Sequence, residues 1–220
     1  MVSGLIEPMK QHPQQSYLYA IAAVALAALC VLPLITRDAI ARAAVGSSYS
    51  STAAANCWSA DGKKNADDQS SRICRGKAGR VVFVNIDDLR ETVSVGRNRT
   101  EAAKEPAAQA LFAPFSSAAP RIEWRMAGSE PIAIIQRWQL ADQADQDNNG
   151  RPRDKALLIV TRLSPGGACH VAYVDAAANP NANELARKAA DETARSFVCG
   201  KDPVKIIGNS GRAVQLATQR

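Results

Sequence analysis

From residue 80 onward the apolar positions fall into short runs separated by glycine, proline, asparagine and aspartate, the pattern of β-strands joined by turns. Residues 80–86 and 91–95 flank Asp87-Asp88 and predict a hairpin. Residues 121–126 place Ile122, Trp124 and Met126 on one face, and residues 131–140 place Ile132, Ile134, Trp138 and Leu140 on one face, with a turn at 127–130 between them. Residues 155–163 are apolar on both faces, as a strand covered on both sides must be. After the turn residues Pro165, Gly166 and Gly167, strict alternation over 168–175 sets Cys169, Val171 and Tyr173 on one face and His170, Ala172 and Val174 on the other. These last segments read as a four-stranded meander.

The period then lengthens. Asn181, followed three residues later by Glu184, has the form of a capping box. Leu185, Ala186, Ala189, Ala190, Thr193, Ala194, Phe197 and Val198 recur at helical spacing opposite Glu184, Arg187, Lys188, Asp191, Glu192 and Arg195. One long amphipathic helix running to Gly200 is therefore expected to cover one side of the sheet. A shorter helix is expected to open at Pro106, because proline fits the first helical position but not the interior. The expected fold class is α+β: an antiparallel meander sheet covered by one long C-terminal amphipathic helix and stabilised by disulfides. Residues 44–56, rich in serine and alanine without periodicity, read as a flexible linker, 57–207 as a single exported domain and 208–220 as a tail.

Residues 18–35 are almost entirely apolar and uncharged, preceded by Lys10 and followed by Arg37-Asp38. Such a stretch engages a membrane, either as a signal peptide cut after Ala41-Arg42-Ala43 or as a retained anchor within residues 1–43, with Met1 or Met9 as the start. Basic residues lie on both sides and do not favour an exported C-terminal part, whereas the cysteines do. Cys57, Cys74, Cys169 and Cys199 lie beyond the apolar run, an even number that permits three pairings. Sequential pairing, Cys57 with Cys74 and Cys169 with Cys199, is the simplest, and strand and helix rises return Cys199 to the level of Cys169. Such bridges persist in oxidising compartments, which points to the periplasm, with the domain released or anchored to the inner membrane. Cys30 sits inside the apolar run behind Leu29, where a lipidated cysteine needs a small neighbour.

The net charge is +6, and its signs are interspersed along the chain. Aromatic residues make up 5% of the sequence, too few for a base-stacking platform, so no nucleic-acid partner is expected. An anionic lipid, a polysaccharide or another envelope component suits a mildly basic exported domain better.

Two stretches carry candidate chemistry. Asp145, Asp147, Asn149 and Gly150 match the first half of a calcium loop, but its twelfth position is Ala156 in place of a bidentate glutamate, and no helix flanks it. The stretch reads as a polar turn, with a weak calcium-modulated module as the alternative. His170 is the only histidine beyond the apolar run, so any hydrolase would have to use it, with an acid such as Asp175. A structural histidine is the expectation. The chain has no C-x-x-C, no G-x-x-x-x-G-K and no G-x-S-x-G. The expectation is a non-catalytic, cofactor-free domain, with Trp124 and Trp138 in the core.

Overall fold

The computed structural model describes residues 44–59, 71–163 and 165–219. The expected membrane segment 1–43 and the polar loop between Cys57 and Cys74 over 60–70 lie outside the described residues. In chain order the elements are β1 (Val45–Ser51), β2 (Cys57–Ser59), β3 (Ser71–Arg75), β4 (Val81–Asp87), β5 (Arg90–Gly96), α1 (Arg99–Lys104), β6 (Ser116–Ala127), β7 (Glu130–Gln146), β8 (Pro152–Arg162), β9 (Cys169–Asp175), α2 (Ala182–Thr193), β10 (Lys205–Ile206) and α3 (Arg212–Thr218). The strands form one mixed sheet in the order β10-β9-β8-β7-β6-β5-β4-β3-β2, and β1 pairs with β6.

The alternation predicted for β4 and β5 builds a hairpin, Val81↔Gly96 through Asp87↔Arg90, and β2 and β3 extend it antiparallel. β6 to β9 are antiparallel neighbours in turn. The two runs meet at one residue pair, Arg90↔Ser116, which is parallel. A sheet hinged on so little ladder folds over until its apolar faces meet. Cys74, Val82, Val84, Val93 and Val95 from the first run share one core with Ile122, Trp124, Ile134, Trp138, Leu157 and Ile159 from the second. Helix α2 covers the outer face of the second run, where Ala186, Ala189 and Ala190 pack on Ile135, Leu158, Val160 and Val174. Helix α1 lies over the outer face of β4, with Ala102 against Phe83. It comes so close to β5 that a Cβ on Gly96 would lie 2.5 Å from the Ala102 nitrogen, which is why glycine stands there.

The antiparallel meander under one long helix is overturned. The sheet is mixed and ten-stranded, and the helices α1, α2 and α3 are short. Helix α2 stops at Thr193 although helical spacing continues to Val198, because tertiary ties take over its end: Arg162 donates to the Ala194 carbonyl at 3.0 Å, Phe197 turns into the core, and Cys199 is bound to Cys169. Asn181 stands at the N-cap but makes no side-chain cap. The serine-rich stretch expected as linker contains β1, which runs antiparallel along β6 from Val45↔Ala127 to Ser51↔Arg121. Its backbone groups are satisfied by a neighbour's edge, which needs no apolar alternation. The expected tail contains α3, whose Ala213, Val214 and Leu216 are buried in the shared core.

Both bridges are present, Cys57–Cys74 across directly paired positions of β2 and β3, and Cys169–Cys199. They are compatible with an exported, disulfide-bonded domain, since such bonds persist in oxidising compartments. Among the described residues, no helix is long and apolar enough to cross a membrane.

Cys169 and Cys199 are 30 residues apart, so replacing both by alanine should cost about 3 to 4 kcal/mol in a denaturant melt under oxidising conditions. Truncation after Ser210 should cost roughly 3 to 6 kcal/mol, since it strips Val214 and Leu216 from the core. A tail would leave the midpoint unmoved.

Candidate functional site

His170 lies on β9, where a register shift between Val160/Thr161 and their partners Ala172 and His170 leaves Val171 as the extra residue. The bulge re-phases the strand. His170 and Tyr173 therefore share the inner face, and Cys169, Ala172 and Val174 face α2, which corrects the simple alternation. His170 and Tyr173 share a hydrogen bond of 3.0 Å, and the Phe112 ring stacks on the imidazole with centroids 6.1 Å apart. Burial pushes the imidazole down to about 4 and the Tyr173 phenol up to about 12, so both stay neutral at ordinary pH.

The acid expected beside it is elsewhere and engaged. Asp175 lies five residues along the strand, roughly 16 Å at about 3.3 Å each. One of its oxygens accepts from Ala177 and Ala178 N–H at 3.0 Å, and the other from Ala213 N–H at 2.9 Å, at the N-terminus of α3. It serves as a distant helix cap. A His–Asp pair is not assembled.

The calcium-like stretch is the connection from β7 to β8. The Asp147 carboxylate accepts from the backbone of Asn149 and Arg151 at 2.8 and 2.9 Å, and Gly150 takes a positive φ of 73°, so the residues shape a turn. Asp145 is paired with Arg153 and Lys155. Asn149 is exposed, and among the described residues no group of three or more His, Cys, Asp or Glu could hold a metal ion. Asp142, nearby, binds Arg212 of α3 through two contacts of 2.7 Å, which hold its carboxyl at about 2 against the opposing effect of burial.

A different site is built on the outer face, beside the N-terminal turns of α2. Strand β6 bulges between Ala118 and Ile122 where it pairs with β7. The bulge is held by Gln136 Nε2 donating to the Ala119 carbonyl at 2.7 Å and by Thr52 N–H donating to the Pro120 carbonyl at 2.8 Å. It presents Arg121, whose guanidinium lies 4.3 Å over the Tyr49 ring. Arg137 enters from β7 and Arg187 from α2, around a cavity of about 420 Å³. The buried Ile135 and Leu158 form part of its lining.

Among the described residues Glu123 is the only carboxylate lining the cavity, and it is bound by Arg187 at 2.7 and 3.1 Å and by Ser47 at 2.5 Å. Burial acts to raise its carboxyl, but Arg187, Ser47 and Arg125 outweigh it and hold the group below the usual range. Arg125, buried behind, is bound to Asp191 of α2 at 2.8 and 2.7 Å. Arg137 has no hydrogen-bond or ion-pair partner among the described residues. Sequence reasoning missed this site because it followed the apolar even-numbered positions of β6 and β7. The signal was the charged odd-numbered set, Arg121, Glu123, Arg125 and Arg137.

Two acid windows should separate in stability measurements. The unfolded chain takes up a proton near pH 6.5 that buried His170 refuses until about 4, so the stability due to neutral His170 is complete above about 6.5 and falls as pH drops toward 4. This amounts to on the order of 3 kcal/mol. Denaturant melts of His170→Phe should lose that slope. Asp142 contributes above its ordinary 3.8 and loses its contribution as pH falls through about 2, so Asp142→Asn should change only the lower window.

No protein-family model, curated protein or solved structure matches the chain.

Proposed function

We propose that the chain is an exported domain that acts at the cell envelope by binding rather than by catalysis. The observation that carries this reading is the commitment of its candidate acid–base groups to the fold. His170 is buried against Phe112 and Tyr173, and Asp175 caps α3. The four cysteines beyond the apolar run are oxidised in pairs. The arginine-lined cavity supplies charge and shape, and the Glu123 carboxylate in its lining is held ionised by Arg187 and Ser47, which suits recognition of an anionic envelope component. In this reading the domain is periplasmic, released or tethered to the inner membrane by the segment 1–43. The calcium-modulated alternative has less support, because Asp145 is ion-paired with Lys155 and Arg153 and one Asp147 oxygen is taken by the amides of Asn149 and Arg151.

Alkaline phosphatase fused after Arg220 should be active, and the four cysteines should resist alkylation in intact cells. An inactive reporter with free thiols would put the domain in the cytoplasm and end this reading. The purified protein should show no turnover of ester or amide substrates; turnover abolished by His170→Phe would restore the hydrolase.

A further inference from the structure

We propose that the cavity beside α2 is a binding site for a phosphomonoester group, a refinement that rests on the binding reading above. Among the described residues, three guanidinium groups, from Arg121, Arg137 and Arg187, line one cavity with a single carboxylate, Glu123. Counting those four side chains leaves a charge of about +2, matching a phosphomonoester, which carries about −1.5 to −2 at neutral pH.

The arginines are not equivalent. Arg187 is oriented by two bonds to Glu123 and is kept protonated by them, so it contributes a fixed positive edge. Arg121 is laid against Tyr49, an arrangement that leaves the N–H edge of a guanidinium free. Arg137 stands across the ladder from the bulge that carries Arg121, and meets no acceptor among the described residues. Like charges so placed on adjacent strands destabilise a sheet. An anion between them reverses that cost.

Phosphate is favoured over carboxylate by the number of forks. One guanidinium saturates the two oxygens of a carboxylate, whereas two guanidinium groups can share the three terminal oxygens of a phosphomonoester. The volume of about 420 Å³ lies within the range of small-molecule sites and leaves room for an organic body of sugar size against Ile135 and Leu158. The same chemistry could reach the site as a soluble phosphate ester or as a lipid headgroup.

Titration of the full-length oxidised protein in a nonionic detergent, followed by calorimetry and by ³¹P NMR, tests this. Glucose 1-phosphate should bind saturably, and more tightly than glucuronate, while glucose should not bind. Arg137→Gln and Arg121→Gln should each weaken it by about tenfold or more, the loss of a charge-assisted hydrogen bond, and Arg151→Gln, at the exposed β7–β8 turn, should leave it unchanged. Arg137 has no hydrogen-bond or ion-pair partner among the described residues and is repelled by Arg121, so its variant should melt no lower than the parent.

Vesicles of phosphatidic acid in phosphatidylcholine form a second arm. Binding there with the same dependence on Arg137, and none to glucose 1-phosphate, would assign the phosphate to a lipid. Silence in both arms, glucuronate binding as tightly, or equal losses in Arg151→Gln would overturn the proposal. Release of inorganic phosphate in the NMR sample would instead overturn the non-catalytic reading, so the two failures are distinguishable.

Discussion

Burial of Trp124 and Trp138, 0% and 1% exposed, is the constraint on which the rest of the structure depends. Each indole removes on the order of 200 Å² from water, worth roughly 5 kcal/mol at about 25 cal/mol per Å². The ladder between the two runs of strands is one residue pair, Arg90↔Ser116, whose hydrogen bonding contributes about 1 kcal/mol. The comparison decides what holds the halves together. The shared core does, and the single pair sets only where the sheet turns back on itself. Helix α3 then closes that core with Val214 and Leu216.

The helices are positioned by charge as well as by apolar contact. Arg125 fixes α2 through Asp191 and reaches β1 through the Val45 carbonyl at 3.3 Å, so one guanidinium joins β1, β6 and α2. Arg162, also buried, donates to the carbonyls of Ala194, Pro165 and Gly166 and lies 3.9 Å from Cys199 Sγ, which places a cation at the C-terminal end of α2. Asp142 and Asp175 together hold α3. Against these engaged groups, the open arginines at the bulge of β6 stand out. The fold gives its buried charges internal partners and leaves the half-buried Arg137 without one among the described residues.

The scaffold accounts for why a site forms at this place. Helix α2, about 18 Å long at about 1.5 Å per residue, covers the outer face of β8 and β9 and leaves the stretch of β6 and β7 around Arg121 and Arg137 open at its N-terminal end. A helix reaching Val198 would extend from the other end and leave this region as it is. The cavity therefore depends on the bulge of β6 and on β1, which brings Tyr49 alongside Glu123 through the pairing Tyr49↔Glu123.

The sequence by itself determined the parts governed by local chemistry. Strand alternation with turn residues located the β4–β5 hairpin and the strands from β6 to β9, because side chains on a half-buried strand must alternate. The even count of cysteines beyond the apolar run and the rise per residue anticipated the two bridges. Tertiary structure alone decided the rest. The polar strand β1 exists because β6 has a free edge, not because its serines favour a strand, and α2 ends early because Arg162 and the Cys169 bridge capture the chain beyond it. Val171 is an extra residue whose bulge turns His170 away from Ala172 and Val174, a shift of face that alternation cannot register. The arginine cavity draws on Arg121, Arg137 and Arg187 from three elements far apart in sequence. No spacing encodes it, because only the pairing of β6 with β7 and the docking of α2 bring those charges together.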